Sequence, residues 1–270
     1  MIENYFVIDA HCHVYPEKIA KLATSHTDNF YGVVSFNDGT VLDLLEKGKD
    51  AGVDHFIIQS VATTPHQVKS INEFIAKNVY ENPNKLTGLG TVHPRSEDMF
   101  GDLQHLKELG LKGVKIHPDI QGFKVDDDGY KKMFKFCEEN NLSVLIHTGD
   151  YRYDNSNPNR LIPLLKEFEK LTVIGAHFGG WSIYEKACRE LKDFKNFYVD
   201  CSSSFYYIDK QTAKNIILDY GVDKVLFATD YPMWDIKKEI NTLLSLGLNS
   251  EDYKKIFSLN AKNVYSIKTE

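Results

Sequence analysis

The chain has 270 residues, 42% of them apolar, and a formal charge of −6 with no Lys/Arg block. That length suits one barrel-sized domain spanning 1–270, and the charge argues against nucleic acid or an anionic membrane as the main partner. No stretch approaches the roughly 20 apolar residues that cross a bilayer, and Glu3 and Asp9 stand where an export signal would be basic, so a cytoplasmic, unexported protein is expected.

Strand-like runs fall near 5–10, 54–60, 86–92, 112–117, 142–147, 172–177, 197–201 and 224–229. Between them lie patterns apolar at the three-and-four spacing of helices, near 39–50, 68–76, 97–109, 128–140, 158–169, 182–192, 209–219 and 235–246. From the second strand onward, strand ends recur 24 to 33 residues apart, close to the roughly 30 residues of a strand-crossover-strand unit. Eight such units predict an α/β fold of the closed (β/α)8 TIM-barrel type; an open doubly wound sheet would gather its ligands at one crevice instead. The segment 14–38 reads as a long first loop able to form a lid, 150–160 as a polar, aromatic loop, and 250–265 as a helix packed outside the barrel. Cys12, Cys137, Cys188 and Cys201 have no close spacing, which removes a disulfide framework and a thiolate metal site.

The chemistry concentrates at strand ends. His11-Cys12-His13 closes the first apolar run, and side chains two apart on a strand point the same way, giving a two-nitrogen claw. His147, His177 and Asp230 end the fifth, sixth and eighth runs, each followed at once by turn residues. Imidazole and carboxylate are ligands that a borderline cation such as zinc prefers. Asp9 shares His11's face and is a candidate acceptor for its ring, with bonding to backbone as the alternative. Lys115 and His117 share one face of the fourth strand, where an inward lysine is costly unless paired or modified. His93 is a candidate for the same mouth, whereas His26, His55, His66 and His105 read as loop or surface residues.

With HxH after strand 1, histidines ending strands 5 and 6, and Thr229-Asp230-Tyr231-Pro232 after strand 8, the chain resembles the amidohydrolase superfamily along its whole length. The similarity is to the branch of aminocarboxymuconate semialdehyde decarboxylase. The resemblance implies one or two divalent ions, usually zinc, on His11, His13, His147 and Asp230, with His177 near the substrate or joining as a ligand in a binuclear site. Lys115 matches the lysine that is carboxylated in binuclear relatives and absent from mononuclear decarboxylases of the branch.

Hydrolysis by activated water is the expected reaction, with Asp230 accepting the proton, His177 stabilising or protonating the reacting oxygen, and Lys115 in the catalytic set. Non-oxidative decarboxylation is the close competitor, and a TatD-type DNase a remote one. Tyr151, Arg152, Arg160, Trp181 and Trp234, with His117, are predicted to bind a small carboxylated, cyclic or aromatic substrate. The oligomeric state, including a homo-oligomer, is left open by the sequence.

Overall fold

The computed structural model describes residues 5–268; residues 1–4 and 269–270, the two ends of the expected domain, lie outside it. Eight strands form, β1 (Ile8–His13), β2 (His55–Gln59), β3 (Leu86–Gly88), β4 (Gly113–Ile116), β5 (Ser143–Ile146), β6 (Val173–Gly175), β7 (Phe197–Asp200) and β8 (Val225–Leu226). They pair in parallel and in chain order as β1–β3 and β4–β8. Two bridges join these arcs into a ring: Gly90 to Val114, and Cys12 to Tyr231. The second seam is reinforced where the Ala10 and His13 amides donate to the carbonyls of Phe227 (2.9 Å) and Tyr231 (2.7 Å). The predicted (β/α)8 barrel is therefore what forms, with helices such as Val41–Ala51, Val68–Glu81 and Asp128–Glu139 near their expected places.

Alternation along the strands sorts the core into two parts. Ile8, Ala10, Ile57, Leu145, Ile174 and Leu226 fill the barrel interior. Their strand neighbours, among them Phe56, Val144, Val173 and Val225, pack in a separate, larger cluster with helix residues such as Leu44, Ile75 and Leu164. The parity changes once, in β1, where the register with β2 shifts between Asp9 and Cys12. Ile8 and Ala10 are interior, yet Cys12 belongs to the outer cluster, so the irregularity turns His11 and His13 inward.

That shift also redirects Asp9. Its buried carboxylate accepts from the Thr229 amide (3.0 Å), the Thr229 hydroxyl (2.5 Å) and the His11 amide (3.2 Å), not from an imidazole. Asp9 therefore ties β1 to the chain beyond β8. Burial pushes its carboxyl up to about 6 even though these donors favour the ionised form.

Three other expectations change. The segment read as a lid loop contains a helix, Glu17–Tyr31, begun after Pro16 and ended at Gly32 with φ 68°. Its apolar stripe of Ile19, Leu22, Ala23 and Phe30 faces the cavity while only Ala20 and Thr24 are buried, and reading Pro16, His26, Asp28 and Gly39 as loop signals passed over it. At the other end, Ala261 and Tyr265 of the last helix, Asn260–Tyr265, belong to the interior cluster, so this helix helps to fill the barrel and does not merely cover it. His55 is buried in β2 and bonds Thr87 Oγ1 at 2.9 Å, so it is no surface residue.

Replacing Asp9 with Ala should strand two buried amides and lower the unfolding free energy by about 3 kcal/mol. Urea denaturation followed by circular dichroism measures this, with a smaller loss for Asp9→Asn; a loss below about 1 kcal/mol would show that the seam does not need this residue.

Candidate metal centre

Strand parity and the short loops after the strands bring the titratable groups together. His11, His13, Lys115, His117, His147, His177 and Asp230 all line one cavity of about 600 Å³. His11 Nε2 lies 3.1 Å from His13 Nε2 and 3.3 Å from Asp230 Oδ1, and the Lys115 ammonium nitrogen is 3.0 Å from the same His11 atom. A second nitrogen pair is His147 Nδ1 and His177 Nε2, 3.0 Å apart.

The outer partners assign the protons. His11 Nδ1 is 2.9 Å from Asp200 Oδ2, so that nitrogen carries hydrogen and Nε2 presents a lone pair. His177 Nδ1 faces the Ser202 carbonyl at 2.9 Å, which likewise leaves its Nε2 bare. Asp200 Oδ1 accepts from the amides of His177 and Ser202, each at 3.0 Å, and so links β7 to both imidazoles. Burial alone would raise the Asp200 carboxyl, but His11, His177 and the Ser202 hydroxyl outweigh it and hold the group well below the ordinary carboxylate range. Asp230 is oriented the same way: Ser203 Oγ donates to Oδ2 at 2.6 Å, and Trp234 Nε1 donates to that hydroxyl at 2.7 Å.

Burial first, and the neighbouring Lys115 and imidazoles second, push His13 and His117 far below the usual histidine range. Burial likewise lowers His147, with the adjoining histidines adding to it. Neutral rings with lone pairs converging on a carboxylate make a donor set that a divalent ion fits, since otherwise His11 Nε2 and His13 Nε2 compete for a proton. Lys115, fully buried, is brought down to about 8 by burial despite Asp230 and Asp200. Backbone strain marks the same places: His177, Ser203 and Asp230 all have φ between 49° and 59°. Gly149, at φ 73°, is equally constrained, because a Cβ there would lie 2.6 Å from Gly180 Cα and separate the loops that follow His147 and His177.

His147 stands apart from the expected single ligand set. The donor atoms of His11, His13 and Asp230 lie within 4.8 Å of one another, whereas His147 groups in that way with His117 and Asp119. Its ring stacks on His117 with centroids 3.9 Å apart, and Tyr31 Oη bridges the two Nε2 atoms at 2.8 and 3.2 Å. Trp181 and Trp234 border a small recess shared with Tyr31, His147, His177 and Asp230.

Three residues expected around the substrate are elsewhere. Tyr151 is 74% exposed, Arg160 is forked onto Asp154 and Asp126, and Arg152 is forked onto Asp150 while lying over the rings of Phe30, Tyr31, Tyr153 and Trp181. None of the three lines the cavity: Tyr151 points to solvent, and Asp150, Asp154 and Asp126 capture the two guanidinium groups. His93 also turns away, accepting from the Arg95 amide and packing on Phe123. Sequence reading missed Asp200, Ser202, Ser203, Tyr31 and Asp119. Asp200 ends a strand run as the histidines do and was visible on that ground; Tyr31 was hidden with its helix.

Parallel strands carrying imidazoles and carboxylates at their C-terminal ends define an enzyme of the metal-dependent (β/α)8 class. The chain belongs to the amidohydrolase family, whose model, described as Amidohydrolase, matches residues 7–267. It is similar to 2-amino-3-carboxymuconate-6-semialdehyde decarboxylase of Dictyostelium discoideum, 31% identical over 115 residues, a match covering 41% of this chain and 32% of that protein. It is 32% identical over 251 residues to the gamma-resorcylate decarboxylase of a Polaromonas strain, covering 73% of this chain and 75% of the relative. A Polaromonas dihydroxybenzoic acid decarboxylase, solved with bound manganese and the inhibitor 2-nitroresorcinol, shares the fold with a TM-score of 0.71 at 16% identity, covering 97% of each chain.

Replacing Asp200 with Asn should free the His11 ring and weaken divalent-metal binding by about 10–100-fold with little change in far-ultraviolet circular dichroism. Titration of the metal-stripped protein with manganese or zinc measures this; unchanged affinity would remove Asp200 from a supporting role.

Proposed function

We propose that the chain is a divalent-metal-dependent lyase that removes carbon dioxide from a small, conjugated carboxylic acid without oxidation. The observation that carries this is that both curated relatives, at 31% and 32% identity, are decarboxylases. Lys115, at a position the resemblance associates with binuclear relatives, is read here as a docking cation: among the described residues it is the sole Lys or Arg lining the cavity, beside the donors of His11, His13 and Asp230. A substrate carboxylate has one cationic end to dock against, and it is the end where the donors converge.

In this reading His11, His13 and Asp230 hold the ion, zinc being the one their nitrogen and oxygen donors suit, and manganese an alternative. A bound divalent ion supplies a Lewis acid that fixes the carboxylate and offsets negative charge. Lys115 as ammonium pairs with the carboxylate. The bond between the carboxyl and its carbon breaks, carbon dioxide leaves, and the electron pair left on the conjugated carbon takes a proton that the bare His177 Nε2 first accepts from water and then delivers, while Asp230 stays ionised as a donor to the ion. His117, Trp181 and Trp234 border the small substrate; Tyr151, Arg152 and Arg160 have no part in holding it.

One observation favours a hydrolytic reading as the second choice. His147 Nδ1 and His177 Nε2 form a further nitrogen pair, and Lys115, brought down to about 8, offers a neutral amine that dissolved carbon dioxide converts to a carbamate ligand. Two ions would then be held, and Asp230 would take the proton of an attacking water.

Carboxyl-13C acids given to the manganese- or zinc-loaded protein in D2O, and separately in H2 18O, distinguish the two. Decarboxylation releases labelled carbon dioxide and places one deuterium on the vacated carbon, with no 18O in the product; 18O incorporation without carbon dioxide would overturn it. Asp230→Asn should lower kcat/KM by about 10³-fold or more in either case. At a fixed concentration of dissolved 13CO2, a carbamate resonance that strengthens as the pH rises through 8 and vanishes in Lys115→Ala would support the second reading, since only the neutral amine reacts.

A further inference from the structure

Resting on that reading of the site, we infer that the acid carries a long apolar tail, an alkyl chain or a second ring, which lies between the Glu17–Tyr31 and Val68–Glu81 helices. The cavity of about 600 Å³ sits in the middle of the range of sites that enclose drug-sized ligands, and a single-ring acid at Lys115 would leave most of it to water. Its walls change character away from the donors. Ile19, Leu22 and Ala23 line it from the first helix, Ile71 and Phe74 from the second, and Ile120 from the short Pro118–Gln121 helix after β4.

Ile71 and Phe74 also pack against the core, but Ile19 and Leu22 of the first helix have little duty there. Of the whole Glu17–Tyr31 helix only Ala20 and Thr24 are buried, while Ile19 and Leu22 remain 48% and 63% exposed. Apolar residues placed on the wall of a cavity, with no packing role to explain them, are suited to a ligand that removes them from water. Charge points the same way. Among the described residues Lys115 and Asp230 are the only Lys, Arg, Asp or Glu on the lining, and beside the apolar wall the polar groups are His26 and neutral side chains such as Thr63, Gln67 and Ser70. A charged tail would find no counter-ion there, whereas an apolar one meets surface of its own kind.

Calorimetric titration of the metal-loaded protein with 4-n-alkylbenzoates, from methyl to hexyl, tests this. Affinity should rise roughly two- to fourfold per added methylene, the range expected for partial to full burial. In Leu22→Asp and Ile71→Asp, both on helix surfaces, that gain per methylene should disappear. A flat series in the wild-type protein, or a gain that survives both substitutions, would overturn the tail site. So would a flat series together with a dimer that Leu22→Asp dissociates in sedimentation, because the helix would then be a contact between two copies of the chain. The readout is binding and not turnover. A chain-length gain in a protein that releases no carbon dioxide therefore supports the tail site while removing the reaction assigned above, and turnover of short acids with a flat series does the reverse.

Discussion

Closure of the ring between β1 and the chain beyond β8 is the constraint on which the site depends. His11 and His13 lie on the first strand and Asp230 just after the last, and they meet only because Ala10, His13 and Asp9 bond across that seam. The register shift in β1 acts at the same place. It lets a strand whose first half fills the interior with Ile8 and Ala10 turn two imidazoles inward over its second half. Fold and chemistry thus share one set of hydrogen bonds, and weakening the seam disturbs both.

The electrostatic design follows from burial. Several titratable side chains share a space with little access to water, where isolated charges are costly and are retained only with partners. His13, His117, His147 and His177 respond by favouring the neutral form, Lys115 by losing part of its basicity, and Asp200 by gathering donors from His11, His177 and Ser202. Asp119 has no such arrangement: neither of its carboxylate oxygens has a hydrogen-bond partner among the described residues, and burial raises it to about 7. What emerges is a set of oriented lone pairs, the form in which nitrogen binds a cation.

Much of this was legible in the sequence because it depends on position along strands. Eight apolar runs at barrel spacing gave the architecture, and His11, His13, Lys115, His147, His177 and Asp230 stood out by ending them or lying near their ends. What escaped depends on contacts that periodicity does not encode. The Glu17–Tyr31 helix buries only Ala20 and Thr24 and turns its apolar positions to the cavity, so it was read as loop. Arg152 and Arg160 were read as free to bind an acid, but Asp150, Asp154 and Asp126 sit close enough in three dimensions to claim them. Of the two roles the sequence left open for Asp9, partner to a ring or to backbone, the one-residue irregularity selects the second.

The unequal anchoring of the two ends of the cavity has an evolutionary consequence. At the inner end, an insertion or deletion in β1 would reverse which side chains face the axis, so that strand tolerates exchange of residues but not changes of length. Apart from Tyr31, which bonds His117 and His147, the Glu17–Tyr31 helix is attached by so few buried side chains that its exposed positions are free to drift. A lineage built on this scaffold can therefore acquire new molecular preferences through changes along one helix while inheriting its reactive apparatus intact.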